Sequence, residues 1–224
     1  AASYTRLHNV ELLSVVREFA TDFQPPQKAG GPNDEGRGST GLYCGEQDMF
    51  CFLVDPTGWT EIEGEAFAPG FFLWNSEVGK RSVGIQTFWF QAICRNHIVW
   101  DAVEVIDFSR KHTANVGEAV AEIRRLIARL VDRRDERRDA FASVVAKAMK
   151  TPMTGDDDEV TKVLSKHGVT RALAKEALAS ARQSGRLTIF SIVDALTRLS
   201  GSIVNAGDRT DADEAASSLL ALAV

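Results

Sequence analysis

Apolar positions change their spacing near residue 115. Before it they come in short β-favouring runs broken by turns. After it they recur at three and four residues almost to the end. Asn9 is a candidate N-cap for a helix to about Ala20, with Val10, Leu13, Val16 and Phe19 on one face. Pro25-Pro26 ends it, and residues 27–39, KAGGPNDEGRGST, read as a polar, Gly-rich loop. Leu42–Cys44 and Met49–Val54 form the arms of a predicted hairpin around Gly45–Asp48. Phe71–Trp74, after Pro69-Gly70, is a candidate buried strand. Within Ser82–Asn96, Ile85, Phe88, Trp89, Ala92 and Ile93 fall at i, i+3, i+4, i+7 and i+8, which predicts an amphipathic helix capped by Ser82. A strand is the alternative, because β-branched and aromatic residues abound there. Ile98–Trp100 and Val103–Phe108 follow as strands.

The remainder reads as helices. A long one spans about 116–149, with Val116, Val120, Ile123, Ile127 and Leu130 as its first stripe and Phe141, Val144, Val145 and Ala148 as its last. Between the stripes lies VDRRDERRD, which has no apolar face. Shorter helices are predicted at 157–167, 170–184 and 189–206, with a final Ala-rich one at 210–222. Gly168 and Gly185 stand where helix C-termini belong, and the acids Asp156–Glu159 suit a helix start. The fold class is α+β: a small, mostly antiparallel sheet with a packed helix over residues 1–113, then an all-helical region over 114–224.

Composition narrows the class. The 224 residues are 44% hydrophobic and 25% charged, ordinary for a globular chain able to bury a core. No apolar run approaches the length of a membrane span, and AASYTRLHNVELLSVV lacks a signal-type core, so no membrane partner is expected. Three cysteines without framework spacing suit a reduced, cytoplasmic protein. A net charge of −5 argues against coating nucleic acid by bulk electrostatics, and leaves room for a local basic surface.

Candidate chemistry begins at WNSEVGKRS, residues 74–82. Gly79-Lys80 followed by a hydroxyl suggests a phosphate cradle. The position five before Gly79 is Trp74, however, and Arg81 precedes Ser82, so this is not a nucleotide-hydrolysis loop. Placed before a predicted helix, Lys80 and Arg81 would add charge to a helix N-terminus that binds an anion; the plainer reading is a solvated turn. Cys44, Cys51, Cys94 and His97 lack the two close pairs of a structural zinc site. Cys94 with His97 or His112 and Asp101 has no flagged oxyanion hole for nucleophilic catalysis. Glu61, Glu63 and Glu65 alternate as on one wet strand face. No catalytic residue, metal or cofactor is therefore assigned.

Several of these segments carry a family resemblance. DMFCFLVDP (48–56), WNSEVG (74–79), CRNHIVW (94–100) and RKHT (110–113) resemble the motifs of the phage- and plasmid-like family called domain of unknown function 932. Lys111 departs from its Arg-His-Thr pattern. The resemblance is good over about residues 40–120 and looser beyond. It implies transactions on DNA, and the element order is similar to that of single-strand annealing proteins. Lys80, Arg81, Arg95, His97, Arg110, Lys111 and His112, interleaved with Trp74, Trp89 and Trp100, would then contact phosphates and stack bases. Arg124, Arg125, Arg129, Arg133, Arg134, Arg137 and Arg138 would extend that surface, or would lace an exposed helix with Asp132, Asp135, Glu136 and Asp139. The alternative is a non-enzymatic partner-binding module that forms a homo-oligomer through its helical tail. The two readings are compatible.

Overall fold

The computed structural model describes residues 4–26, 41–91, 97–100, 107–183, 185–203 and 206–223. It has the α+β class expected. The strands are β1 (Leu42–Cys44), β2 (Met49–Val54), β3 (Thr60–Ile62), β4 (Glu65–Asn75), β5 (Val83–Gln91), β6 (His97–Trp100) and β7 (Asp107–Arg110). The helices are α1 (Asn9–Phe19), α2 (Val116–Asp132), α3 (Arg134–Lys150), α4 (Asp157–Lys166), α5 (Arg171–Gln183), α6 (Ile189–Ser200) and α7 (Ala206–Ser218), then a 3-10 turn, Leu219–Ala223. The strand order is β1-β2-β4-β5-β6, with β3 paired to β4 and β7 to β5.

The chain forms two compact units that alternate along the sequence. The first comprises 1–59, 68–88 and 105–137, and the second 60–67, 89–104 and 138–224.

In the first unit, β1 and β2 make the expected antiparallel hairpin, Leu42 opposite Cys51 and Cys44 opposite Met49. β2 pairs antiparallel with β4 from Met49↔Asn75 to Val54↔Gly70. One face of this sheet, carrying Met49, Cys51, Leu53, Phe71, Leu73, Val83 and Ile85, packs with Leu12 and Val15 of α1 and with Val116, Ala119, Ile123, Ile127 and Leu130 of α2. A second set of residues is aromatic: Phe52 stacks on Phe72 at 4.4 Å, Phe72 meets Trp74 at 5.1 Å, and Phe52 meets Phe88 at 6.1 Å.

The second unit has a mixed aromatic and aliphatic core. Trp89 lies flat on Phe141 with centroids 4.2 Å apart, and Phe67 meets Phe141 and Phe190 edge-on. Around them pack Val145 and Ala148 of α3, Val160 and Leu164 of α4, Ala177 and Leu178 of α5, and Ile192, Val193 and Leu196 of α6. The helix starts are chemically defined. Asp156 accepts the Glu159 N–H at 2.8 Å while Glu159 accepts the Asp156 N–H at 3.2 Å, and Thr188 and Ser191 repeat the exchange at α6. Gly168 and Gly185 both have positive φ, as their places at helix ends require.

Five expectations are corrected. Residues 83–91 are strand, not helix: all nine are buried, so no polar alternation marks the strand, and the packed helices are α1 and α2. The long helix breaks at Arg133, between its two apolar stripes, where Arg134 turns to the buried Asp55 carboxylate. In α1 the fully buried residues are Leu12 and Val15, with Leu13, Val16 and Phe19 partly buried and Val10 exposed. Glu61 stands in β3, Glu63 in the turn and Glu65 in β4, so the three do not share a strand face. Within 189–222 the structure likewise redraws the helix limits, ending α6 at Ser200 and starting α7 at Ala206. The strand predicted at 103–108 falls mostly outside the described residues.

Candidate nucleic-acid interface

The turn between β4 and β5 is where the sequence reading placed its phosphate contact. No helix follows it, so no helix dipole contributes there. Gly79 has φ +74°, a conformation that favours glycine, and a Cβ at that position would lie 2.5 Å from the Tyr4 ring. The turn is braced from inside. Fully buried Asn75 donates to Leu7 O at 3.0 Å and to Asn9 Oδ1 at 2.8 Å. Ser76 Oγ donates to Gln47 O and accepts the Lys80 N–H at 3.0 Å. Glu77 gathers the N-terminal segment: its Oε1 accepts the Asn9 N–H at 2.7 Å, and its carbonyl accepts from Tyr4 Oη and from Arg6 Nε. That Asn9 bond is the main cause holding the Glu77 carboxyl below its usual range; burial opposes it, and His8 and then Arg6 add to the lowering. Much of the Trp-Asn-Ser-Glu-Val-Gly motif thus docks residues 4–9.

Strand pairing then brings a second basic segment alongside. β5 and β7 are antiparallel with Val83 opposite Arg110, so Lys80-Arg81 and Arg110-Lys111 share one end of the sheet. Arg81 is exposed, pairs with Asp48 at 3.1 Å and lies 5.4 Å from the Phe50 ring centroid. Arg110 pairs with Glu118 at 2.8 Å. Lys80 is exposed and donates to the neutral Gln47 Oε1. Among the described residues, neither Lys80 nor the exposed Lys111 has a carboxylate partner. His112 does not join this surface. It is buried, with Nδ1 3.3 Å from Thr5 O and Nε2 without a partner, and Thr5 N–H donates back to His112 O at 3.2 Å.

The other proposed residues separate. Arg95 lies outside the described residues. His97 belongs to β6, in the second unit, and only its backbone is described. Trp89 is fully buried, and Trp74 is half-buried with Nε1 donating to Ser82 Oγ at 3.3 Å. The helix arginines are largely occupied: Arg124 with Glu18, Arg125 with Glu122, Arg133 with Glu136, Arg134 with Asp55 and Arg138 with Asp139. Sequence reasoning missed Tyr4 and Arg6, which lie outside the helices and strands in a segment with no periodic signal. Both are exposed beside the turn.

Cys51 carries no reactive signature. Burial pushes the Cys51 thiol up to about 11, Cys44 is exposed on the edge hairpin, and Cys94 lies outside the described residues. Among the described residues no group of three or more His, Cys, Asp or Glu side chains is placed to hold a metal ion, and no helix is long and apolar enough to cross a membrane.

A family model described as Domain of unknown function (DUF932) matches residues 3–200. The chain belongs to this family. The match takes in every element from α1 to α6, so it covers the first unit of this DUF932 member from residue 3 onward and the second as far as residue 200. No curated protein and no solved structure matches the chain.

Proposed function

We propose that this DUF932 member binds nucleic acid through the end of the sheet in its first unit. The observation that carries the reading is the β5–β7 register, Val83 opposite Arg110, which sets Lys80-Arg81 beside Arg110-Lys111. Among the described residues Lys80, which rests on the neutral Gln47, and Lys111 lack carboxylate partners; both are exposed, where they are available to phosphate oxygens. Phosphate contacts of this kind carry no sequence information, so binding is expected to be general in sequence. The phage- and plasmid-like character of the family resemblance favours DNA handling, with single-stranded DNA binding or annealing in a reducing cytoplasm as the specific form.

The test is fluorescence anisotropy of labelled single- and double-stranded oligonucleotides at about 50 mM salt, followed by titration to about 200 mM. Binding that weakens steeply with salt supports the reading; no binding at the lower salt ends it.

A second reading has its own observation. Val10, Leu42 and Val78 are exposed large apolar residues of the first unit, and β1 is the outer strand on that side of the sheet. An outer strand that carries the exposed Leu42 suits association with further copies of the chain. Sedimentation over a range of concentrations separates the two readings, since an apolar contact persists in salt.

A further inference from the structure

Tyr4 is a large aromatic residue held in the open. Its side chain is fixed on two sides: the hydroxyl donates to Glu77 O, and the ring edge rests on the bare backbone of Gly79. The buried His112 ring lies at 5.7 Å, tilted by 35°. Yet Tyr4 remains 46% exposed. The hydroxyl contact anchors the N-terminal segment while nearly half of the residue stays open to solvent. Cations stand close by, beside the Glu77 carboxylate that faces His8: Arg6 Nε is on the same Glu77 carbonyl as the Tyr4 hydroxyl, and Lys80 follows Gly79. Thr5 and His112 exchange contacts, which puts Lys111 on the neighbouring segment.

An immobilised aromatic ring among phosphate-binding cations is the combination that recognises an unpaired nucleotide: the base stacks while its phosphate is neutralised. A base inside a duplex offers no free face to such a ring. We infer that Tyr4 is a stacking platform for one unpaired base, held in place by Glu77 and Gly79, and that the sheet end therefore takes single-stranded in preference to double-stranded nucleic acid. This rests on the nucleic-acid reading above and adds the residue that chooses between strand forms.

The experiment uses the full chain with an oligonucleotide carrying the fluorescent base 2-aminopurine, as a single strand and as a duplex. Wild type and Tyr4→Phe are expected to quench the single strand on binding, because either ring stacks. Tyr4→Leu is expected to lose the quenching and to bind the single strand about tenfold more weakly, with duplex affinity unchanged. Gly79→Ala, which displaces the ring without removing it, should resemble Tyr4→Leu. This variant covers the case in which Tyr4→Leu disturbs the docking of residues 4–9. If wild type binds in a salt-dependent way and both variants match it in quenching and affinity, the stacking inference is overturned and the phosphate reading stands. If no oligonucleotide binds wild type at low salt, both fall.

Discussion

Two regions of this chain are rich in basic residues, and they differ in what those residues already hold. Along 118–150 there are nine Lys and Arg among six Asp and Glu, the most basic stretch of the sequence by count. There Arg124, Arg125, Arg133, Arg134 and Arg138 are ion-paired. At the sheet end the count is lower, yet among the described residues Lys80 and Lys111 have no carboxylate. A cation that already faces a carboxylate must give it up to take a phosphate; one without a carboxylate has only water or a neutral partner, such as Gln47 beside Lys80, to lose. Pairing, more than number, decides which of two basic regions is a candidate surface.

The comparison can be sharpened by asking where charge governs stability. The largest effect is expected at Asp213, a buried carboxyl hydrogen-bonded by Ser200 Oγ, which burial raises to about 7. Its pKa is higher folded than unfolded, so the native state binds more protons between about pH 4 and 7. The contribution is therefore favourable below the unfolded value and is lost as pH rises to about 7, by about 4 kcal/mol in all. Asp213→Asn should flatten this dependence in urea titrations at pH 5 and pH 8; an unchanged difference between the two would contradict the assignment.

Next comes the paired region itself. Asp55 is fully buried and ion-paired with Arg134. Arg134→Ala should cost about 3 kcal/mol in denaturant unfolding, because it leaves that carboxylate without its cation. A cost under about 1 kcal/mol would mean the pair is no more than a surface contact. Gly84 gives a smaller effect: a Cβ there would meet Trp74 Cζ2 at 2.2 Å and Phe108 O at 2.5 Å. Gly84→Ala should destabilise by about 2 kcal/mol and lower Tm. Smallest of all, Lys80→Ala/Lys111→Ala should leave Tm nearly unchanged, within about 0.5 kcal/mol of stability, since neither lysine supports the fold.

The β1–β2 hairpin was legible because its turn is polar and its arms are short. The ends of α4 and α5 were legible because Gly168 and Gly185 mark them, and the start of α4 because Asp156 and Glu159 form a capping box. Strand β5 was not. A strand buried on both faces shows no period of two, and Ile85, Phe88 and Trp89 happen to match helical spacing. The break at Arg133 carries no proline or glycine, and Asp55, the carboxylate that Arg134 meets there, is nearly eighty residues away. At the site, the chain showed four of the gathered cations but not that β7 would pair beside the turn. Tyr4 was invisible for the same reason: its meaning comes from Gly79, seventy-five residues on.

Cations with and without a carboxylate partner should differ most directly in one measurement. The salt dependence of oligonucleotide binding would be compared for wild type, Lys80→Ala/Lys111→Ala and Arg124→Ala/Arg125→Ala. The lysine pair should lower the slope of log affinity against log salt by about two, or somewhat less for a single strand, while the arginine pair leaves it unchanged. An unchanged slope in the lysine variant, or an equal loss in the arginine variant, would contradict the assignment of the interface to the sheet end.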